Sequence, residues 1–133
     1  MRVKGFSLIE LMIVIGIIAV INMIMYPNFA SLQQTAKEIS AKSSARSLMI
    51  ALEQYFFIHQ TYPPGSNISI SSIIPILHDN QCLRSGSLTN PYTSQPYSVS
   101  DASGQVLYDL VSSNSYTIKG YGQNNEELVF EYP

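Results

Sequence analysis

A long apolar run opens the chain, and an amphipathic repeat follows it. Residues 6–26 contain only two strongly polar side chains, Glu10 and Asn22. As a helix, this run is about 31 Å long at roughly 1.5 Å per residue, close to the ~30 Å hydrocarbon core of a bilayer. The pattern therefore predicts a transmembrane helix segment over residues 6–27.

Pro27 stands at the end of the apolar run. It has no N–H, and its ring clashes with the carbonyl of Met23, so a helix that passes through it kinks or loosens. One interpretation is that Pro27 only ends the span. We predict instead a kink at Pro27, where the helix leaves the lipid and continues.

Residues 28–62 repeat apolar positions with the spacing of a helix face. The predicted stripe comprises Leu32, Ala36, Ile39, Ala45, Leu48, Met49, Leu52, Tyr55 and Phe56. The run TYPPG at 61–65 stops the helix, because proline cannot continue it and glycine supplies a turn. We expect the stripe to hold a packed head.

Residues 63–133 predict that head, as an irregular loop followed by a small antiparallel sheet packed with residues 28–62. Within the irregular stretch 66–96, residues 71–77 fit either a short helical turn or a strand. Strand-like runs occur at 97–100, 105–111, 116–119 and 128–132, with turn residues between them. Short connections indicate an antiparallel meander, and one face covering a helix makes the fold class α+β.

Composition and charge exclude several functions. The chain has 133 residues, seven basic and nine acidic, for a formal charge of −2. Its cations are scattered, which argues against nucleic acid as the main partner, since phosphate binding needs clustered cations. The one cysteine, Cys82, allows no intramolecular disulfide. His59 and His78 are isolated, and no catalytic or metal-ligand motif is present, so we predict neither an enzyme nor a metal site.

The flanking charges predict an orientation in the membrane. Arg2 and Lys4 precede the span and no cation follows it closely, which indicates a cytoplasmic N-terminus and a head outside the cytoplasmic membrane. A cleaved secretory signal is the alternative. It fits less well, because such a signal has a shorter apolar region and an Ala-x-Ala-like site that this run lacks.

The sequence KGFSLIE at residues 4–10, followed by the apolar run, resembles the type III signal of type IV prepilins and type II secretion pseudopilins. The resemblance implies that a prepilin peptidase removes residues 1–5 by cutting between Gly5 and Phe6, and then methylates the amine of Phe6. It identifies Glu10 as the glutamate needed for filament assembly. Loss of the leader leaves five basic and nine acidic residues, a formal charge of −4.

Glu10 has two interpretations. An acidic side chain at the centre of a membrane helix costs about 2.5–3.5 kcal/mol, but Glu10 is near the helix start, where the dipole favours a carboxylate. It is therefore either a harmless residue of the first turn or one half of an ion pair. In the second case its partner is the new amine of Phe6 on a neighbouring copy, and the pair sets the register of subunits.

The resemblance also implies function, partners and location. The chain is expected to be a structural subunit of a helical filament, either a pseudopilin of a type II secretion-like system or a type IV pilin of a surface pilus. Its partners are other copies, minor subunits, the prepilin peptidase, an inner-membrane assembly platform and membrane lipid. It is expected to cross the bacterial inner membrane once, with a periplasmic head and a periplasmic or extracellular filament. A minor tip subunit and a membrane-anchored binding module remain alternatives.

The head carries two further points of comparison. NPYTSQPY at 90–97 is similar to the Asp-Pro-Trp-Gly-Asn-Pro-Tyr stretch of major pseudopilins, with Asn for Asp, Tyr for Trp and one extra residue between the prolines. This favours the pseudopilin. Major pseudopilins also bind calcium in a late acidic loop, but here residues 120–127 have carboxylates only at their end. No cofactor is predicted, and calcium stays open as an alternative.

Overall fold

The computed structural model describes residues 5–84 and 88–133, with the backbone alone for Pro27 and Asn28. It divides into two compact units, Met1–Ala36 and Lys37–Pro133. Helix α1, Leu8–His59, is 52 residues long and contributes to both units. The helix is continuous at Pro27 and does not end there; a kink at this position stays a prediction.

The first unit contains an apolar helical segment that nothing in the described chain covers. Leu8–Tyr26, 19 residues with a mean hydropathy of 2.6, is long and apolar enough to cross a membrane, and none of it is buried. Such a surface is stable only in lipid or against other apolar surfaces. The predicted membrane-capable helix is confirmed in length and composition.

Within the second unit, α1 is buried along one stripe. Its buried members are Ala41, Ala45, Leu48, Ala51 and Leu52, each at most 3% exposed. Three of the five are alanines, whose small side chains let the head approach the helix backbone closely. The predicted upstream extension of the stripe is wrong: Leu32 is 65% exposed and Ile39 is 62% exposed.

Helix α1 ends three residues before the predicted boundary at 62. Gln60 has a φ of 57°, and its N–H donates to the Phe56 carbonyl at 2.8 Å. A left-handed residue with this bond is a common helix C-terminus, and here it acts before the prolines do. Tyr62 and Pro63, which follow, are buried under the head.

The segment after the helix is more regular than the sequence predicts. It forms strand β1, Ile68–Ser69, a 3₁₀ turn, Ile70–Ser72, and helix α2, Ile74–Asp79. Of the two interpretations of residues 71–77, the helical one is right. Ile70, Ile73 and Leu77 all face the core, each at most 1% exposed.

A small hairpin lies between β1 and the rest of the main sheet in the chain. Strands β2, Thr89–Asn90, and β3, Gln95–Pro96, pair antiparallel with Asn90 opposite Gln95. The strand predicted at 97–100 is wrong. Asp101 accepts the Ser98 N–H on Oδ2 at 2.9 Å, so a side chain takes the amide that a strand ladder would use and the chain turns.

The main sheet is antiparallel, with strand order β1-β4-β5-β6. Strands β4, Val106–Ser112, β5, Ser115–Tyr121, and β6, Leu128–Tyr132, form the predicted meander. The inward side chains of the sheet form one core with the helix stripe; they are Val106, Tyr108, Tyr116, Ile118 and Phe130. A long N-terminal helix with a small antiparallel head confirms the α+β fold class.

Candidate functional site: the N-terminal turn and the apolar helix

The Gly5–Phe6 peptide bond lies just before the helix and is open to solvent. Phe6 is 77% exposed. A Cβ added to Gly5 would meet nothing within 4 Å, so packing within the described chain does not require glycine at this position. The bond is therefore accessible from solvent in the described chain. Arg2 and Lys4, predicted to orient the span, lie outside the described residues.

Glu10 caps the start of its own helix. The Ser7 backbone N–H donates to Glu10 Oε2 at 2.9 Å, and the Leu11 N–H donates to the Ser7 carbonyl at 3.2 Å. This is the carboxylate half of a capping box, which satisfies one N–H that the first turn leaves without a helical partner. The Ser-x-x-Glu spacing at 7–10 carried this signal, which the sequence analysis missed. In a single chain, Glu10 therefore has a local partner.

Nearly all side chains of the apolar segment Leu8–Tyr26 are apolar. Asn22, the second polar residue of the span, donates from Nδ2 to the Ile18 carbonyl at 2.8 Å, so one of its polar groups is satisfied within the helix. A Cβ added to Gly16 would meet nothing within 4 Å. Glycine costs about 1 kcal/mol relative to alanine inside a helix, but in membrane helices small residues allow another helix to approach closely.

The head is joined to α1 by tyrosines. The Tyr62 hydroxyl donates to Glu53 Oε1 at 2.9 Å, and the Tyr116 hydroxyl donates to the same oxygen at 3.3 Å. The Tyr108 hydroxyl donates to the buried Pro63 carbonyl at 2.8 Å. Burial, and after it the neighbouring Glu53 carboxylate, raises the pKa of both Tyr62 and Tyr116. Both phenols therefore stay neutral and act as donors.

The isolated histidines and the cysteine are not brought together. His59 Nε2 is 2.9 Å from Asn80 Oδ1, which ties the end of α1 to the end of α2. His78 Nδ1 is 3.9 Å from the exposed Asp79 carboxylate. Cys82 is buried, and burial raises the pKa of its thiol, so it is a poor nucleophile. Across residues 5–84 and 88–133, no group of three or more His, Cys, Asp or Glu side chains is placed to hold a metal ion.

Comparison with known proteins places the N-terminal segment in a recognised class. Residues 1–26 match the family model of the prokaryotic N-terminal methylation motif. The chain is 38% identical over 66 residues to the type IV major pilin protein PilA of Myxococcus xanthus (strain DK1622). That alignment covers 50% of this chain and 30% of the relative's length. No solved structure matches the chain significantly.

The chain thus combines a segment similar to the N-terminal methylation motif with an apolar helix and a small antiparallel head. The predicted resemblance to the type IV prepilin family is confirmed.

Proposed function

We propose that this protein is a structural subunit of a helical filament assembled from the inner membrane. The observation that carries the proposal is the 19-residue apolar helix, unburied over its whole length, which lies within the segment that matches the N-terminal methylation motif. A tether needs such a helix only to stay in lipid. A subunit of a helical bundle needs it also to pack against other copies, and a processing signal at its start fits that second use.

Processing is the first step of the proposal. Prepilin peptidase cuts between Gly5 and Phe6 and methylates Phe6. The exposure of Phe6 and the empty space around Gly5 support this, because an enzyme can reach the bond without unfolding any part of the described chain. Cleavage creates a positive amine on Phe6, one residue before the Ser7 N–H that holds Glu10.

Glu10 then changes partner. While the chain is alone in the membrane, the Ser7 N–H solvates the carboxylate. In the filament, Glu10 neutralises the Phe6 amine of a neighbouring copy. A subunit inserted out of step leaves one of these charges unpaired among apolar side chains, which is strongly unfavourable. The pair therefore fixes register, and its net contribution to stability is secondary.

Two kinds of filament fit this subunit. The narrower proposal is a pseudopilin of a type II secretion-like system, supported by the 90–97 stretch and by the single cysteine. The second candidate is a type IV pilin of a surface pilus, favoured by the similarity to a type IV major pilin. Deleting the gene and assaying secretion and sheared surface fibres separates them. Loss of secretion with no loss of fibres supports the pseudopilin, and the reverse result supports the pilus.

N-terminal mass spectrometry tests processing. We expect the mature chain to begin at methylated Phe6. An intact Met1 on the membrane-resident protein contradicts the proposal and supports a membrane-anchored binding module.

A pair of variants tests the role of Glu10. We expect Glu10→Leu and Glu10→Gln both to insert and to be cleaved, and both to lower filament yield. Glutamine keeps an oxygen that can accept the Ser7 N–H but carries no charge. This variant therefore separates the effect of the charge on assembly from the effect of the cap. Normal filaments from Glu10→Leu would overturn the assigned role. Normal filaments from Glu10→Gln alone would show that the cap is what assembly needs.

A further inference from the structure

Asn90 is a fully buried polar residue, and both N–H bonds and the oxygen of its side chain are hydrogen-bonded. It is 0% exposed. Its Oδ1 accepts the Tyr92 N–H at 2.9 Å, and its Nδ2 donates to Asp101 Oδ2 at 3.1 Å and to the Ser103 carbonyl at 2.7 Å. The amide nitrogen thus lies between two oxygen acceptors from the loop before β4, and both of its N–H bonds are engaged.

A second amide extends the network to the loop between β5 and β6. Asn125 Nδ2 donates to the Asp101 carbonyl at 2.9 Å, and Asn125 Oδ1 accepts the Gln105 N–H at 2.9 Å. Asn125 has a φ of 56°, a left-handed conformation that asparagine tolerates better than most residues. Asn90 and Asn125 therefore both bind Asp101. We call Asn90, Asp101 and Asn125 the amide hub.

The hub joins three loops by side-chain hydrogen bonds, and the Gly104 N–H also donates to the Gly122 carbonyl at 2.8 Å between two of them. Asn90 belongs to the β2–β3 hairpin, Asp101 to the turn after it, and Asn125 to the loop between β5 and β6. Asp101 Oδ2 also accepts the Ser98 N–H at 2.9 Å, so its carboxylate has two donors on one oxygen. Several N–H groups here donate to a small cluster of oxygen atoms, as a metal ion would bind several oxygen ligands.

The resemblance to major pseudopilins implies calcium at residues 120–127. The oxygen atoms available here do not fit a calcium site. Calcium takes six to eight oxygen ligands. In this loop the Asn125 oxygen is already occupied by the Gln105 N–H, and Glu126 and Glu127 are exposed. The Asp101 carboxylate is bound by an amide and a backbone N–H. Asp101 Oδ2 and Asn125 Oδ1 are thus engaged in hydrogen bonds within the protein, and among the described residues no group of three or more His, Cys, Asp or Glu side chains is placed to hold a metal ion.

We propose that the amide hub closes the loops of the head in place of a bound divalent cation. The N–H groups of Asn90 and Asn125 supply the positive ends of dipoles that hold Asp101 and the Ser103 carbonyl together. The head therefore keeps its loop structure when divalent cations are removed. The inference stands apart from the proposed filament function, because it concerns only how the head folds.

The first test is thermal unfolding of the full chain in detergent micelles, followed by the near-ultraviolet signal of the head tyrosines. Wild-type protein is expected to have the same Tm in excess calcium chloride and in excess EDTA. A Tm that rises by several degrees with calcium would overturn the proposal.

Asn90→Asp tests the chemistry of the hub. It replaces a donor by an acceptor and puts a second carboxylate within about 3 Å of Asp101, at a hydrogen-bonded separation that two acceptors cannot share. We expect its Tm in EDTA to fall by roughly 10 °C and to be partly restored by calcium. Asn124→Asp is the matched control, because it adds the same charge at an exposed neighbour of Asn125. It should change the Tm neither in EDTA nor in calcium. An Asn90→Asp protein as stable as wild type in EDTA would overturn the proposal.

A local measurement keeps the proposal testable if Asn90→Asp does not fold. In Asn125→Ala, the Gln105 N–H loses its acceptor, and we expect its hydrogen exchange to be faster by about tenfold or more. The Tyr121 N–H, which donates to the Gln105 carbonyl at 2.9 Å, should stay protected. Unchanged exchange at Gln105 would show that the amide does not hold the loop.

Discussion

The Tyr116 hydroxyl on β5 donates a hydrogen bond to the Glu53 carboxylate on α1 at 3.3 Å, across 63 residues of sequence. Tyr62 donates to the same Glu53 oxygen from the chain that leaves the helix, at 2.9 Å. The Tyr62 and Tyr116 rings meet edge to face with centroids 4.6 Å apart. One carboxylate thus fixes both the exit of the chain from α1 and the position of the sheet against it.

Removing this acceptor should loosen the head. We expect Glu53→Leu to lower the free energy of unfolding by about 1–3 kcal/mol, because two tyrosine hydroxyls lose their partner. Glu53→Gln should cost less, since its amide oxygen still accepts. Urea unfolding midpoints at constant m-value check this. Gln54→Leu, at the exposed neighbouring position, is the control, and a Glu53→Leu protein no less stable than that control would contradict the prediction.

The buried tyrosines predict sensitivity to alkali. Burial, with the charge of Asp101 second, raises the pKa of Tyr97 to about 12, and burial also raises the pKa of Tyr108 and Tyr116. A phenol with a raised pKa in the folded state contributes stability that is complete below its unfolded pKa of about 10 and is lost as pH rises towards the folded value. The head should therefore lose stability progressively above about pH 10.

Tyr97→Phe checks the direction of this effect. Phenylalanine cannot ionise, so the difference in unfolding free energy between wild type and Tyr97→Phe should shrink or change sign in favour of the variant as pH rises from 10 to 12. Chemical unfolding at a series of pH values measures it. A pH-independent difference would mean that Tyr97 titrates normally in the folded head.

Gly120 on β5 has no room for a side chain. It pairs with Phe130 on β6, and a Cβ at this position would overlap the outer edge of the Phe130 ring. Since the ring belongs to the core and is 8% exposed, we expect Gly120→Ala to cost about 1–3 kcal/mol through overpacking. Gly122→Ala is the matched control, because its Cβ would meet the nearest atom, in Val129, at an ordinary 3.5 Å. Equal Tm values for the two variants would refute the prediction.

The outward side of α1 in the head unit carries its own apolar line. Ile39, Ile50 and Phe57 are 62%, 71% and 81% exposed and are separated by about three and about two helical turns, so they share one face. In the proposed filament this face meets a neighbouring copy. Ile50→Ser and Phe57→Ser should lower filament yield without lowering the Tm of the head, since neither side chain packs in its core.

Val111→Ser is the control for that prediction. Val111 is also apolar and 62% exposed, but it belongs to β4 and not to α1. Electron microscopy of sheared or overexpressed filaments gives the yield. Equal losses from all three variants would show a general effect of surface polarity and no specific helix face.

The sequence predicted the fold where one strong periodicity acts over many residues. The apolar run, the stripe from Ala45 to Phe56 and the three long strands all follow from burial on one face. It failed where a single side chain competes with the pattern. Asp101 captures the Ser98 N–H and removes the strand predicted at 97–100, and β1 pairs only two residues, too few to produce alternation.

The residues of the candidate sites also differ in whether the sequence could predict them. Gly5, Phe6 and Glu10 were predicted from a motif with fixed spacing, and the family model matches that segment; their individual roles stay predictions. Asn90 and Glu53 were not predicted, because their importance lies in contacts made across distant segments. Asn90 stands in the 90–97 stretch that resembles major pseudopilins, but nothing in that stretch predicts its contacts with Asp101 and Ser103. Glu53 has the pattern of an ordinary charged residue beside the stripe.

The uncovered helix Leu8–Tyr26 has an energetic consequence for the life of the subunit. Acyl chains and the side chains of sister helices are nearly equivalent solvents for it, so passage from one to the other gains little hydrophobic free energy. In the proposed filament, growth through this helix therefore changes the free energy little, and the same subunit can return to the bilayer at small cost. The direction of growth would then come from an assembly machinery that does work on the subunit, with the bilayer as a reversible reservoir of subunits.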